Sequence, residues 1–324
     1  MKVGEPLYEN GPIYDGGGLG YYFVYTDTDG AGLVHKEKNY TVEDLNAFFF
    51  EFFDKILKQW GCDLVEIEHY HPITGEKHIK NHWIVFEHED TYHKGIWFRK
   101  KRYAKLTEHD GEYELGITGL DCLNPKTNRL AAKLQEEMLE DILRERFDLD
   151  QWYNKLSQIK DKVFRGDLEP EYLKMVKTIR KDPKQYEGYV IDKNTGQPKV
   201  KKDGTLQEKS VPGYVELHRK MLKEGKEVYI GQKLPYYVIT EKPKQKVDHI
   251  DNYVKGSQYS AQYYWKAIIS PLIRTLYVYD STIFNCDDEK KFKKENKWGQ
   301  LFNMTYKELS KIASMEKDVD DSEN

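Results

Sequence analysis

Hydrophobic and polar positions change their period several times along the chain. Tyr21 to Thr26 (YYFVYT) and Ala31 to His35 (AGLVH) are short apolar runs around Asp-Thr-Asp-Gly, the pattern of a strand, a tight turn and a second strand. Thr41 to Trp60 opens with Thr41 and Asp44 at capping-box spacing. It then carries Leu45, Phe48, Phe49, Phe52, Phe53, Ile56 and Leu57 at helical intervals, which predicts an amphipathic helix packed by its aromatic face. From Asp63 to Gly119 the runs LVEIEHY, HWIVFEH, GIWFRKKRYAKL and YELGI alternate between the turn sequences PITGEK, EDTYHK and EHDG. Such alternation predicts an antiparallel sheet or a set of hairpins.

The character changes at Asn128. RLAAKLQEEMLEDILRERF predicts a long helix with Leu130, Leu134, Met138, Ile142 and Leu143 largely on one face. WYNKLSQIKDKVF, PGYVELHRKMLKEG and SAQYYWKAIISPLIRTLYVY predict further helices, and KLPYYVITE one extended run. The polar, Gly- and Lys-rich IDKNTGQPKVKKDGTLQEKS predicts an exposed loop, and the terminal MEKDVDDSEN an acidic, disordered tail. Residues 1–20, with Gly16, Gly17 and Gly18, predict a loop or arm. A strand follows this glycine run, where a phosphate-binding loop requires a helix. The expected fold class is therefore α+β: an N-terminal arm (1–20), an antiparallel sheet with a packed helix (21–127), a mainly helical domain (128–285), and a C-terminal helix with its tail (286–324).

Composition sharpens this outline. A chain of 324 residues has room for two domains and a sizeable core. A net charge of −4 argues against a globally basic nucleic-acid protein, but leaves local stripes to be read directly. Cys62, Cys122 and Cys286 are odd in number and have no C-x-x-C spacing, which fits a reducing, cytoplasmic setting better than a disulfide framework or a zinc ribbon. No apolar h-region opens the chain, and no window approaches the ~18 apolar residues of a membrane span.

Three features could carry chemistry. On an extended strand residues i and i+2 share a face, so Asp27 and Asp29 would place two carboxylates together, an arrangement suited to Mg²⁺. On this fragment alone an ordinary Asp-Gly hairpin explains them better. The run Lys94 to Lys105 (KGIWFRKKRYAK) holds six cations and no acid, interleaved with Trp97, Phe98 and Tyr103. As one strand it would present a basic stripe backed by a buried aromatic face, a surface for a phosphate backbone; its alternative is a solvated, edge-protecting run. Six histidines fall between His69 and His93, yet they form no H-x-x-x-H helix and no Cys/His quartet, and His69 and His71 flank a turn-rich hairpin, so hairpin histidines account for them better than zinc. No G-x-S-x-G elbow occurs, and Cys62 has no local activator in sequence.

YTDTDG resembles motif C of the family B DNA polymerases, Y-G-D-T-D-S, and FRKKRYA resembles the K-K-[RK]-Y-A motif that follows it there. GLDCLNP with LAAKLQEEMLEDIL resembles the start of that family's thumb. VKTIRKDPKQY, VPGYVELHRKMLKEGKEVYIGQKLPYYVI and AQYYWKAIISPLIRTL are similar to successive thumb segments of archaeal-type members. The resemblance runs in order from about Tyr21 to about Asp280. It implies a palm over 21–127 and a thumb over 128–285, with Asp29 as the motif C metal ligand and Asp27 beside the metals. Tyr25 and Thr28 would support the motif. Lys100, Lys101, Arg102 and Tyr103 would contact primer-template DNA, Lys101 being the candidate for the minor groove. The implied cofactor is Mg²⁺ in a two-metal site, and the implied substrates are dNTP and DNA.

The chain also departs from the pattern. Thr26 stands for the motif's Gly and Gly30 for its Ser; Asp121 stands where Glu is usual, and Asn124, Pro125 and Lys126 where an R-R-D-type run is expected. Motif A, motif B and an exonuclease motif do not occur in the sequence. The expectation is thus the C-terminal subunit of a split family B DNA-directed DNA polymerase, inactive alone. Its partner would be a large subunit carrying exonuclease, motif A and motif B. The alternative is a non-catalytic DNA-binding clamp or accessory protein on the same framework. GQLFNMTYKEL, with Gln300 and Tyr306, faintly resembles a sliding-clamp-binding peptide, although Asn303 occupies the aliphatic position and a short amphipathic helix explains it better.

Overall fold

The computed structural model describes residues 21–26, 31–35, 67–70 and 77–80 as strands, and residues 92–109, 111–201, 203–242 and 244–314 in full or nearly so. The expected arm (1–20), the aromatic helix (41–60), the run HWIVFEH and the acidic tail lie outside the described residues. The rest is a mixture of helices and antiparallel strands, as in an α+β chain: among the described residues, strands alone up to Thr118, then helices with one small three-stranded sheet among them. Contacts divide the chain into two compact units, residues 1–101 with 106–114, and residues 102–105 with 115–324.

In the first part β1 (Tyr21–Thr26) pairs antiparallel with β2 (Ala31–His35), and β3 (Ile67–Tyr70) with β4 (Lys77–Lys80). β5 (Tyr92–Arg99), β6 (Arg102–His109) and β7 (Glu112–Thr118) form a three-stranded sheet in that order. Here the fold departs from the single strand expected. GIWFRKKRYAKL is not one strand: the chain turns at Lys100 and Lys101, so its cations gather at a hairpin tip instead of lining a strand face. Alternation alone could not show this, because the turn contains none of the usual Gly, Pro or Asn.

The second unit is built around one helix. α1 (Arg129–Leu143) is capped by Asn128, whose side chain accepts from the N–H groups of Leu130 and Ala131. α2 (Leu149–Arg165) starts on Asp148 and ends on Gly166, whose positive φ of 86° lets the chain leave the helix. After a single turn, α3 (Pro170–Leu173), strand β8 (Met175–Thr178) pairs with β9 (Lys233–Thr240), and β9 with β10 (Lys246–His249), all antiparallel. α4 (Gly213–Lys223) packs beside β10. α5 (Ala261–Tyr279) then runs through the core, burying Tyr264, Trp265, Ile268, Ile269, Leu272, Ile273 and Leu276. A helix apolar on so much of its circumference has neighbours on several sides; here they are α1, α2 and the last helix.

The C-terminal segment is more than one amphipathic helix. α6 (Phe292–Glu295), α7 (Lys297–Phe302) and α8 (Tyr306–Ala313) follow one another, and Phe292, Trp298, Leu301, Phe302, Met304 and Leu309 join the same core as α5. Gln300 donates to the carbonyl of Lys294, and Tyr306 packs edge-on against Phe292 at 5.5 Å. The residues that resembled a clamp-binding peptide are thus engaged within the fold. No helix among the described residues is long and apolar enough to cross a membrane.

Candidate functional site

The register of the first hairpin sets Thr26 opposite Ala31, with a shift between Phe23 and Tyr25, and leaves residues 27–30 to join the strands. Asp27, Thr28 and Asp29 lie outside the described residues; Tyr25 stands in β1 opposite Gly32. The two strands expected on either side of the aspartates are present and paired.

The basic tip is described directly. Arg99, Lys100 and Lys101 are consecutive and exposed, whereas Arg102 and Tyr103 are half-buried and Ala104 is fully buried. Burial thus increases within a few residues of the tip, anchoring it to a packed strand. Lys101 has φ of 59°, in the left-handed region that a side chain with a Cβ enters at a cost of about 1–2 kcal/mol. A lysine held where glycine or asparagine would be easier is the kind of local strain that collects at functional positions. Two further features stiffen the strands. A Cβ on Gly95 would overlap the Trp97 ring, so the indole can lie over Gly95 only because that residue has no side chain. The Lys105 stem lies over Gly116, in space that a side chain there would crowd.

Asp121, which stands where the resembled family has Glu, receives Nη1 of Arg274 at 2.8 Å, while Nε of the same guanidinium donates to the Ile312 carbonyl at 3.1 Å. One cation therefore ties the turn Asp121–Leu123 and the C-terminal end of α8 to α5. Beside it the fully enclosed Gln135 accepts from the Cys122 N–H at 2.8 Å and donates to Thr275 Oγ1 at 3.2 Å and to the Pro271 carbonyl at 3.4 Å. Burial, with Glu136 adding to it, pushes the Cys122 thiol up to about 11. Sequence reading did not single out Arg274 or Gln135, because each sits on a helix whose spacing says nothing of partners more than 100 residues away.

Of the histidines, His69 and His78 are direct cross-strand partners, and His93 lies against Tyr113 with ring centroids 4.7 Å apart. No cluster of three or more potential metal ligands occurs among the described residues.

With the strands, the basic tip and the helical unit in this order, comparison with known proteins gives one family. The sequence profile described as DNA polymerase family B matches residues 71–278. The chain belongs to that family. It is 23% identical over 221 residues to a DNA polymerase of Methanocaldococcus jannaschii, covering 68% of this chain and 11% of that protein. Against a DNA polymerase of Desulfurococcus sp. (strain Tok) it is 27% identical over 103 residues, 32% of this chain and 13% of that protein. The chain thus spans little more than a tenth of the length of these curated relatives. A solved family B DNA polymerase from Pyrobaculum calidifontis superposes with a TM-score of 0.49 at 15% identity, over 85% of this chain and 28% of that one.

Proposed function

We propose that this chain is the C-terminal portion of a split family B DNA-directed DNA polymerase, carrying motif C of the palm and the thumb that grips primer-template DNA. The observation that carries the reading is the order of parts. A paired β1–β2 hairpin flanks Asp27 and Asp29, a lysine turn held at positive φ follows, and a helical unit matched by the family profile comes last. Asp29 serves as the metal ligand, with Asp27 beside it; their hard carboxylate oxygens suit Mg²⁺, which supplies charge neutralisation at the transferring phosphate. Motif A and motif B do not occur in these 324 residues, and the split reading assigns the second carboxylate and the triphosphate-binding cation to a partner polypeptide. Lys100, Lys101, Arg102 and Tyr103 hold the duplex near the primer end, mainly through its phosphates. A DNA-binding clamp without catalysis gains nothing from two carboxylates near DNA phosphates.

The decisive experiment is primer extension with Mg²⁺ and dNTP, using this chain alone and then together with candidate large subunits that carry motif A. Extension is expected only from the pair. Asp29→Ala should abolish it while leaving association of the two polypeptides intact. Extension by this chain alone, or full synthesis by the Asp29→Ala pair, would refute the assignment.

A further inference from the structure

Residues 188–209, between the turn Pro183–Tyr186 and α4, contain the lysine-rich stretch that the sequence presents as a loop. The backbone closes this segment on itself. The Val190 N–H donates to the Gln207 carbonyl, the Gln207 N–H to the Lys199 carbonyl, and the Lys199 N–H to the Val190 carbonyl, each at 2.8 Å. Three short extended pieces therefore bond one another in a ring, with bridges Tyr189↔Glu208, Ile191↔Pro198 and Val200↔Leu206. At the base the Lys209 N–H donates to the Gly188 carbonyl at 2.9 Å, so the segment leaves and rejoins the unit at one point.

Two consequences follow from this closure. Each piece pairs with both others, so the ring offers little open edge to which a further strand could add, and recognition falls to side chains. The segment is also exposed almost throughout and contributes nothing to the buried core, although ordering its backbone costs about 1–2 kcal/mol per residue. What it displays is cationic. Lys193, Lys201 and Lys209 are exposed and make no ion pair among the described residues, while Lys199 lies 4.0 Å from Asp192. Two of the three acids are engaged in the turns: Asp192 accepts from the N–H groups of Asn194 and Thr195, and Asp203 from the N–H and hydroxyl of Thr205. Alternation along the pieces places Lys199, Lys201 and Lys209 opposite the face of Ile191 and Val200.

We propose that residues 188–209 form a lysine-faced finger that binds the phosphodiester backbone of duplex DNA, adding to the contacts of the Lys100–Lys101 turn. The inference rests on the reading of this chain as a DNA-gripping thumb. Phosphate is the ligand that matches several mobile point charges on a short rigid base without demanding a shaped pocket.

The test measures binding of the full chain to a fluorescent primer-template duplex by anisotropy between 50 and 200 mM salt. Two variants are compared with the parent: one with Lys193, Lys199, Lys201 and Lys209 all changed to Gln, and one with residues 189–208 replaced by a Gly-Ser pair, which the adjacency of Gly188 and Lys209 permits. Both should lose roughly tenfold or more in affinity at 150 mM salt, and the slope of log K against log salt should shrink by about 2–4, near 0.9 for each phosphate no longer neutralised. Unchanged affinity and slope in both variants, while Lys101→Ala still weakens binding, would overturn the finger alone. Loss of association with a large subunit on changing Ile191 and Val200 to Ser, with DNA binding intact, would also overturn it and assign the finger to a protein. A parent chain that binds no duplex would overturn the finger and the thumb reading together.

Discussion

Tyr264 is fully buried on α5, and its hydroxyl takes the place of a missing strand. β8 ends opposite Tyr236, so beyond that point β9 has no strand neighbour on that side among the described residues. The Val238 N–H donates to Tyr264 Oη at 2.8 Å, the Ser260 N–H donates to the Val238 carbonyl at 2.9 Å, and Tyr264 Oη donates to the Leu173 carbonyl at 2.7 Å. Tyr264→Phe keeps the ring and removes one oxygen, leaving a buried N–H and a buried carbonyl each without this partner. A buried group so orphaned costs about 1–3 kcal/mol; recovering the hydroxyl's own desolvation offsets part of this, for a net loss of about 2–3 kcal/mol. Tyr253 provides the contrasting case in the same unit, because its buried hydroxyl has only the Gly256 backbone near it and makes no hydrogen bond of ordinary geometry among the described residues. Tyr253→Phe should therefore be neutral or stabilising by up to about 1 kcal/mol. Urea unfolding followed by tryptophan fluorescence, which Trp152, Trp265 and Trp298 report from the core, measures both. A Tyr264→Phe midpoint equal to that of Tyr253→Phe would refute the reasoning that the hydroxyl completes the sheet.

Other outcomes follow from the same geometry. Lys101→Gly relieves the left-handed strain but loosens the unfolded chain, so stability should change by less than about 1 kcal/mol. Its salt slope for primer-template binding should nevertheless fall by about 0.9, and an unchanged slope would remove Lys101 from the DNA contact. With its thiol pushed up to about 11, Cys122 should alkylate at pH 8 about a hundredfold more slowly than an ordinary thiol; peptide mapping after timed iodoacetamide treatment reads this directly. Hydrogen bonds from Thr305 hold the Glu308 carboxyl below its usual range. The stability it contributes is present above the ordinary carboxylate value near 4.3 and is lost as pH falls through the lower folded value. The difference in Tm between parent and Glu308→Gln should therefore be largest at neutral pH and vanish in strong acid; a difference that persists there would contradict the linkage.

Period and cap chemistry are local, and the sequence determined what depends on them: the flanking strands of the opening hairpin, α1 from Asn128, α2, α4 and α5, and the extended run at β9. The order of YTDTDG, KKRYA and the later segments also determined the family resemblance, since short motifs in sequence need no coordinates. Tertiary structure decided what depends on partners distant along the chain. The basic run became a hairpin tip because two lysines occupy turn positions that carry no turn signature. Gln135 and Arg274, ordinary polar residues on helical faces, became the ties between α1, α5 and α8 once packing brought them together. The lysine-rich segment at 188–209 shows the division most plainly. Its composition gave exposure correctly, but the ring of backbone hydrogen bonds that gives it shape joins residues 8 to 17 apart, and only the folded chain brings them together.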